Sequence, residues 1–195
     1  MRPQRVSLVV LALLALVVVG CGSVPSAKPH SGSAGATPVQ ASRPREVRVD
    51  QLDPCTLANR DALAQLGVGD QQRRIDANAA NPGQVACAWS NPLGDPQTIA
   101  LTIATVSNRP ISYYLRSVGA RPTRIAGFAA ADTVGTFNDP EHECIVAIDV
   151  AEGQSLLVMV SNDLGDLPGV SHAMLCEKAH VAAEDVMRRL LARTG

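Results

Sequence analysis

The sequence predicts an α+β domain, a mostly antiparallel sheet packed against a few helices and fastened by two disulfides. Two patterns and one count carry that reading. Helical signals open and close the region from Asp53 to Arg193, while its middle alternates apolar and polar residues in paired runs. Four cysteines fall inside the same region, an even set of the kind that exported chains join in pairs. With 195 residues, 46% of them hydrophobic, the chain is long enough for one domain with its own core.

The first element begins at Asp53-Pro54-Cys55, where Asp suits an N-cap and Pro the first helical position. Asn59 offers a second start, which gives a turn and then a helix with Ala62, Leu63 and Leu66 as its apolar stripe and Gly67 as its stop. Asp70 to Gly83 is polar and weakly patterned, a loop with at most a short strand. Val85, Cys87 and Trp89 alternate and share one strand face, so the Trp89 ring packs beside a bridge at Cys87 rather than on a ligand. Asn91 to Pro96 reads as a hairpin turn. From Gln97 to Val106, Ile99, Leu101 and Ile103 point inward, while Thr98, Ala100, Thr102 and Ala104 form a small, weakly polar opposite face.

Pro110 opens a short helix with Ile111, Tyr114, Leu115 and Val118 at i, i+3, i+4 and i+7, and Gly119 ends it. Arg121 to Thr136 is strand-like with glycine interruptions. Cys144–Val150 and Ser155–Val160 form the clearest hairpin, joined through Glu152-Gly153, with Cys144, Val146, Ile148 and Val150 facing Leu156, Val158 and Val160. The closing helix, about Val170 to Arg193, aligns Leu175, Ala179, Ala182, Val186 and Leu190. Arg188, Arg189 and Arg193 stand near its C-terminus, where the helix dipole favours cations.

Ahead of this domain the chain carries an address. Arg2 and Arg5 flank an apolar run, Val6 to Val19, whose fourteen residues fall short of the roughly 20 that a membrane-spanning helix needs. Length and flank fit a secretory signal, residues 1–20. It ends in Val18-Val19-Gly20-Cys21, a lipobox in which the Cys21 thiol takes a diacylglyceryl group and becomes the acylated (palmitate-bearing) amino terminus. Two or three acyl chains anchor stably where one does not. Residues 21–46 are rich in Ser, Pro, Gly and Ala and read as a flexible tether, leaving 47–195 as the single domain. The expected location is the extracytoplasmic face of the cell membrane.

With Cys21 assigned to lipid, Cys55, Cys87, Cys144 and Cys176 remain, and three pairings are open. Joining neighbours, Cys55 with Cys87 and Cys144 with Cys176, is the favoured choice; each loop spans 32 residues and is worth about 3–4 kcal/mol by chain entropy. Loop length alone does not select it, because the dependence is logarithmic. Cys176 lies one turn into the last helix, so one bridge staples that helix to the sheet. A four-cysteine zinc site lacks the closely spaced C-x₂₋₄-C pairs such sites use, so no metal is assigned.

The order of lipobox, polar tether, Asp53-Pro54-Cys55, Cys87-Ala88-Trp89, Cys144 on a strand and Cys176 in the last helix resembles the small actinobacterial envelope lipoproteins of domain-of-unknown-function family 3558. The resemblance covers essentially the whole exported domain. It implies a cell-envelope lipoprotein and supplies no catalytic residues.

Composition excludes several functions. Seventeen basic against 18 acidic residues, no basic patch and 3% aromatics leave a nucleic-acid surface without its phosphate-neutralising and base-stacking groups. His142, His172 and His180 form no i, i+4 histidine pair, and His172 and His180 read as solvated helix surface. Asp139-Pro140-Glu141-His142-Glu143 reads as a charged turn, with no EF-hand or H-E-x-x-H spacing. There is no G-x-S-x-G elbow and no Walker or dinucleotide-binding glycine pattern. The expectation is a non-catalytic module without a cofactor, assisting an envelope protein complex; the alternative is a carrier of a lipid or other apolar small molecule. A carrier calls for a cavity with few polar groups, an interaction module for an exposed apolar patch.

Overall fold

Seven strands pair antiparallel throughout in the order β1-β2-β3-β7-β6-β5-β4 in the computed structural model, which describes residues 43–92, 99–133, 141–162 and 169–193. They are β1 (Gln71–Ile75), β2 (Gln84–Ser90), β3 (Ile99–Val106), β4 (Arg121–Ile125), β5 (Phe128–Thr133), β6 (Glu143–Ala151) and β7 (Gln154–Asn162). Three helices accompany them, α1 (Arg60–Leu66), α2 (Ile111–Tyr114) and α3 (His172–Arg193), with a 3₁₀ turn at Pro54–Thr56. This is the α+β architecture, with bridges Cys55–Cys87 and Cys144–Cys176.

Sequence explains the strand order. The apolar strands β3, β7 and β6 occupy the middle, whereas the edges are Gln71-Gln72-Arg73-Arg74-Ile75 and Arg121-Pro122-Thr123-Arg124-Ile125. Charge and proline on an outer strand discourage pairing with another chain, and every residue of β1 is exposed. The register then sorts side chains between faces. Cys87 opposes Ile103, Ile103 opposes Val158, and Val158 opposes Val146. Period-two alternation puts these with Trp89, Leu101, Cys144, Ile148, Leu156, Val160, Ala130 and Phe128 on one face.

That face is covered by α3, α1 and the 3₁₀ turn. The α3 stripe of Leu175, Ala179, Ala182, Val186 and Leu190 is buried as its spacing predicts, and Cys176, Ala183 and Met187 widen it. Asp53 accepts from the Cys55 N–H and Asn59 from the Ala62 N–H, so the turn and the helix each have their own cap. Gly67, at φ 70°, ends α1 with its N–H on Ala64 O, while Val68 N–H returns to Leu63 O. Lys178 Nζ donates to Leu66 O at 2.7 Å and Arg193 Nη2 to Thr56 O at 2.8 Å, tying α3 to both. Trp89 is 3% exposed and belongs to the core, not to a ligand platform.

Two features differ from the sequence expectation, the extent of the helix after Pro110 and the start of the domain, and two others are refined. The helix after Pro110 spans only Ile111–Tyr114, and Val118 is 93% exposed, because turns at Ser117 and Ala120 divert the chain into β4. The interrupted stretch Arg121 to Thr133 is a hairpin turning on Ala126-Gly127, both at positive φ (49° and 84°), with Glu184 accepting the Ala126 N–H at 3.0 Å. Asp70 to Gly83 contributes edge strand β1. The domain's contacts begin before residue 47: Arg43 pairs with Asp149, and Arg45 donates to Leu191 O. Cys21, residues 93–98 with most of the Asn91–Pro96 turn and Thr98, and Asp139-Pro140 lie outside the described residues.

Candidate binding groove

The second face of the sheet is built from smaller side chains. Ala86, Ala88, Ala100, Thr102, Ala104, Ala129, Ala131 and Ala147 alternate with the core set, and Thr102, Ile145, Leu157 and Met159 are half-buried. Among the described helices, α2 is the one that packs here, over β5 and β6. Ser155 Oγ donates to Arg109 O at 2.8 Å and fixes the chain just before α2 to β7.

Beside α2 lies a groove of about 790 Å³, open to solvent on one side. Pro110, Ile111 and Leu115 form one wall; Pro122, Arg124 and Ala129 form the other. Its polar end is the pair Arg43–Asp149. Arg43 Nη2 donates to Asp149 Oδ1 at 3.1 Å and Nε lies 3.0 Å from Oδ2, one hydrogen bond and one close ionic contact between side chains 17% and 2% exposed. Arg43 also approaches Glu46 at 3.5 Å. An aspartate buried in β6 requires such a partner.

Exposed apolar side chains gather along α2, and one of them, Leu115, lines the groove. Of the five large hydrophobics exposed among the described residues, Tyr113, Leu115 and Val118 cluster along α2 and the turn after it. The Arg109 guanidinium lies 5.3 Å from the Tyr113 ring centre, and Tyr113 meets Tyr114 edge-on at 5.2 Å. Tyr114 is the buried anchor of α2; its Oη has no hydrogen-bond partner among the described residues. Burial pushes its phenol above the ordinary value, and the nearby Arg109 charge opposes that shift.

The candidate residues from the sequence fall elsewhere. Cys55, Cys87, Cys144 and Cys176 sit on the core face as two bridges. His142 precedes β6, and its carbonyl accepts the Asn162 N–H at 2.8 Å. The solvated-surface reading of the other two histidines is corrected. His180 is drawn against the sheet by Asp132, Nε2 to Oδ1 at 2.7 Å, and His172 lies 3.4 Å from Cys176 Sγ. The groove itself joins Arg43 to Asp149, 106 positions apart. One sequence signal pointed there: Asp149 interrupts the apolar run Cys144-Ile145-Val146-Ala147-Ile148.

Taken together, fold and groove define a class, a disulfide-stapled α+β domain with one covered and one open sheet face. The particular family follows from the chain itself: it belongs to "Protein of unknown function (DUF3558)", whose family model matches residues 16–189. No curated protein and no solved structure matches it. Among the described residues, no helix is long and apolar enough to cross a membrane.

Proposed function

We propose that this is a non-catalytic binding module of the cell envelope, exported by residues 1–20, anchored through acylated Cys21 and docked by the α2 face onto a protein of an envelope complex. The observation that supports docking is the exposed apolar trio Tyr113, Leu115 and Val118 along α2 and the turn after it, of which Leu115 lines the groove. Exposed apolar surface gathered at one place is the mark of an interaction site, whereas scattered single residues are not. The partner this fits presents an apolar side chain to the Ile111–Leu115 wall and a polar rim to Arg124 and Glu152. Lipidation rests on the basic flank, the short apolar run and Cys21 following Gly20.

A second reading is favoured by the groove's volume, which lies in the range of small-molecule sites. In it the domain carries an apolar ligand whose polar end meets Arg43. Native mass spectrometry of the protein released from its own envelope separates the two. A reproducible added mass, lost on denaturation, supports the carrier and refutes docking as the groove's purpose. A bare oxidised mass, with a photo-crosslinker at position 118 giving one discrete product that Leu115→Glu abolishes, supports docking. Anchoring is tested separately: Cys21→Ser releases the protein from membranes, and retention of the variant refutes the lipid anchor.

A further inference from the structure

The two bridges close loops of equal length, 32 residues each, in unequal surroundings. Next to Cys144–Cys176 stands His172, one helical turn before Cys176, with Nε2 3.4 Å from Sγ. The ligand atoms of Cys144, His172 and Cys176 all lie within 4.8 Å of one another, and among the described residues no other such group of three or more exists. His172 Nδ1 is buried without a hydrogen-bond partner among the described residues. In the bridged state the imidazole is therefore poorly satisfied among the described residues: one nitrogen faces a disulfide sulfur, a weak acceptor and no donor, and the other has no partner there. A buried orphan of this kind in a native fold calls for an explanation, and a redox or ligating role is one.

The geometry points to a redox-gated metal site: with the Cys144–Cys176 bridge reduced, Cys144, Cys176 and His172 bind one thiophilic divalent cation such as Zn²⁺. Three observations support it. His172 and Cys176 stand at i and i+4, the spacing that puts two ligands on one helix face. Zinc takes imidazole nitrogen at about 2.0–2.1 Å and thiolate sulfur at about 2.3 Å, which at a tetrahedral angle sets them about 3.5 Å apart; His172 Nε2 and Cys176 Sγ already have that separation. The third ligand is delivered by β6, whose Cys144 is held in the core at 1% exposure. Three protein ligands leave one coordination position open.

The chemistry needs a dithiol reductant. Its thiolate attacks Cys176 Sγ, the S–S bond breaks, and Cys144 leaves as a thiolate that takes a proton. The reductant's second thiol then displaces Cys176 and closes the reductant's own disulfide. Two electrons pass to the bridge, and two thiols result. Zinc binding releases both protons to solvent. Zinc binding draws Cys144–Cys176 toward its reduced form, a pull that Cys55–Cys87, outside any such cluster among the described residues, does not feel, so with zinc present Cys144–Cys176 opens under milder reduction.

The test uses the full chain in detergent, with Cys21→Ser so that thiols come only from the bridges. Graded dithiothreitol buffers, alkylation and peptide mass spectrometry give the order of reduction, and equilibrium dialysis against zinc sulfate gives uptake by the species that keeps Cys55–Cys87. Trp89 fluorescence reports its fold. With zinc sulfate in the buffers the Cys144–Cys176 bridge is expected to open first, and the folded, partly reduced chain to hold one Zn²⁺. Loss of an outer-shell partner already costs about 10–100-fold in metal affinity, so His172→Ala is expected to weaken binding by at least about 100-fold while still forming both bridges when oxidised. His172→Cys is expected to restore binding. Simultaneous reduction of both bridges, unfolding when Cys144–Cys176 alone is opened, no zinc uptake, or uptake unchanged by His172→Ala would each overturn the site.

Discussion

The two faces of one sheet are built on opposite principles. On the covered face, Phe128, Leu101, Ile103, Ile148 and Leu156 are fully buried beneath α3, α1 and the 3₁₀ turn, and both disulfides join that face to what covers it. On the open face alanine, threonine and serine stand beside half-buried Ile145, Leu157 and Met159, and its deepest charge, Asp149, is answered from outside the sheet by Arg43. Because successive residues of each strand point to opposite faces, the same seven strands supply both. The difference teaches where stability and recognition are kept apart: large side chains and covalent staples on one side, shallow relief and a groove on the other.

The sharpest way to break that comparison is to cut the staples. Removing either bridge as a pair, Cys55→Ser with Cys87→Ser or Cys144→Ser with Cys176→Ser, is expected to cost about 3–4 kcal/mol, the same for both because the loops are equal. Urea midpoints at constant slope measure it. A loss below about 1 kcal/mol would show that the covered face holds without its bridges.

Next in size is the ion pair on the open face. Breaking a buried ion pair from one side leaves the other charge without its counterpart, typically at a cost of about 3–5 kcal/mol. Arg43 retains some solvent contact, so Arg43→Ala is expected to cost about 2–3 kcal/mol, less than that full penalty. Asp149→Asn is expected to cost less, since Arg43 lies at the start of the described domain and can turn to water, whereas Asp149 is fixed in β6. Equal costs for the two variants would contradict that asymmetry. The readout is again the denaturant midpoint.

A smaller effect of opposite sign is expected at Tyr114. Its Oη is buried with no well-formed hydrogen bond among the described residues and only Arg109 close enough to interact with it, so Tyr114→Phe removes a weakly satisfied polar group and is expected to stabilise by at most about 1 kcal/mol at neutral pH. The sign with pH follows from the raised phenol. Above the ordinary value of 10.0 the unfolded chain loses its proton while the folded one keeps it, so the native state loses stability as pH climbs from there toward the folded value. The phenylalanine variant has no such loss, and its advantage is expected to widen above pH 10. Parallel stability curves from pH 8 to 11 would refute the assignment.

How much of this was legible beforehand follows the range of each interaction. Gly67 stopping α1, Glu152-Gly153 turning β6 into β7, and the five-residue stripe of α3 are local and were readable. The β3–β7 pairing joins residues from Val106 with Ser155 to Ile99 with Asn162, far apart in sequence, and nothing within either strand names its partner. At Ala126-Gly127 the turn uses alanine where Asn or Asp is the familiar signal, and the Glu184 carboxylate from α3 holds the Ala126 N–H. The periodic stripe through Val118 misled because a helical spacing over eight residues does not overcome the turns required to reach β4. The groove was the least legible part, since Arg43 sits in a Pro- and Ser-rich segment and meets Asp149 only through the fold.

The smallest expected change in stability is the one that bears most on function. Leu115→Glu and Val118→Glu add a charge to side chains that are already 41% and 93% exposed, so each is expected to shift stability by less than about 0.5 kcal/mol. If the open face is a docking surface, the same substitutions abolish the partner contact, because a carboxylate facing an apolar contact must be desolvated without a counter-charge. A partner contact that survives both substitutions would place recognition elsewhere on the domain. Conversely, a large loss of stability at Leu115 would show that α2 belongs to the core and that the sheet has two structural faces. Unfolding midpoints and crosslinking yield on the same two variants therefore decide whether the division between the faces is one of function or only of side-chain size.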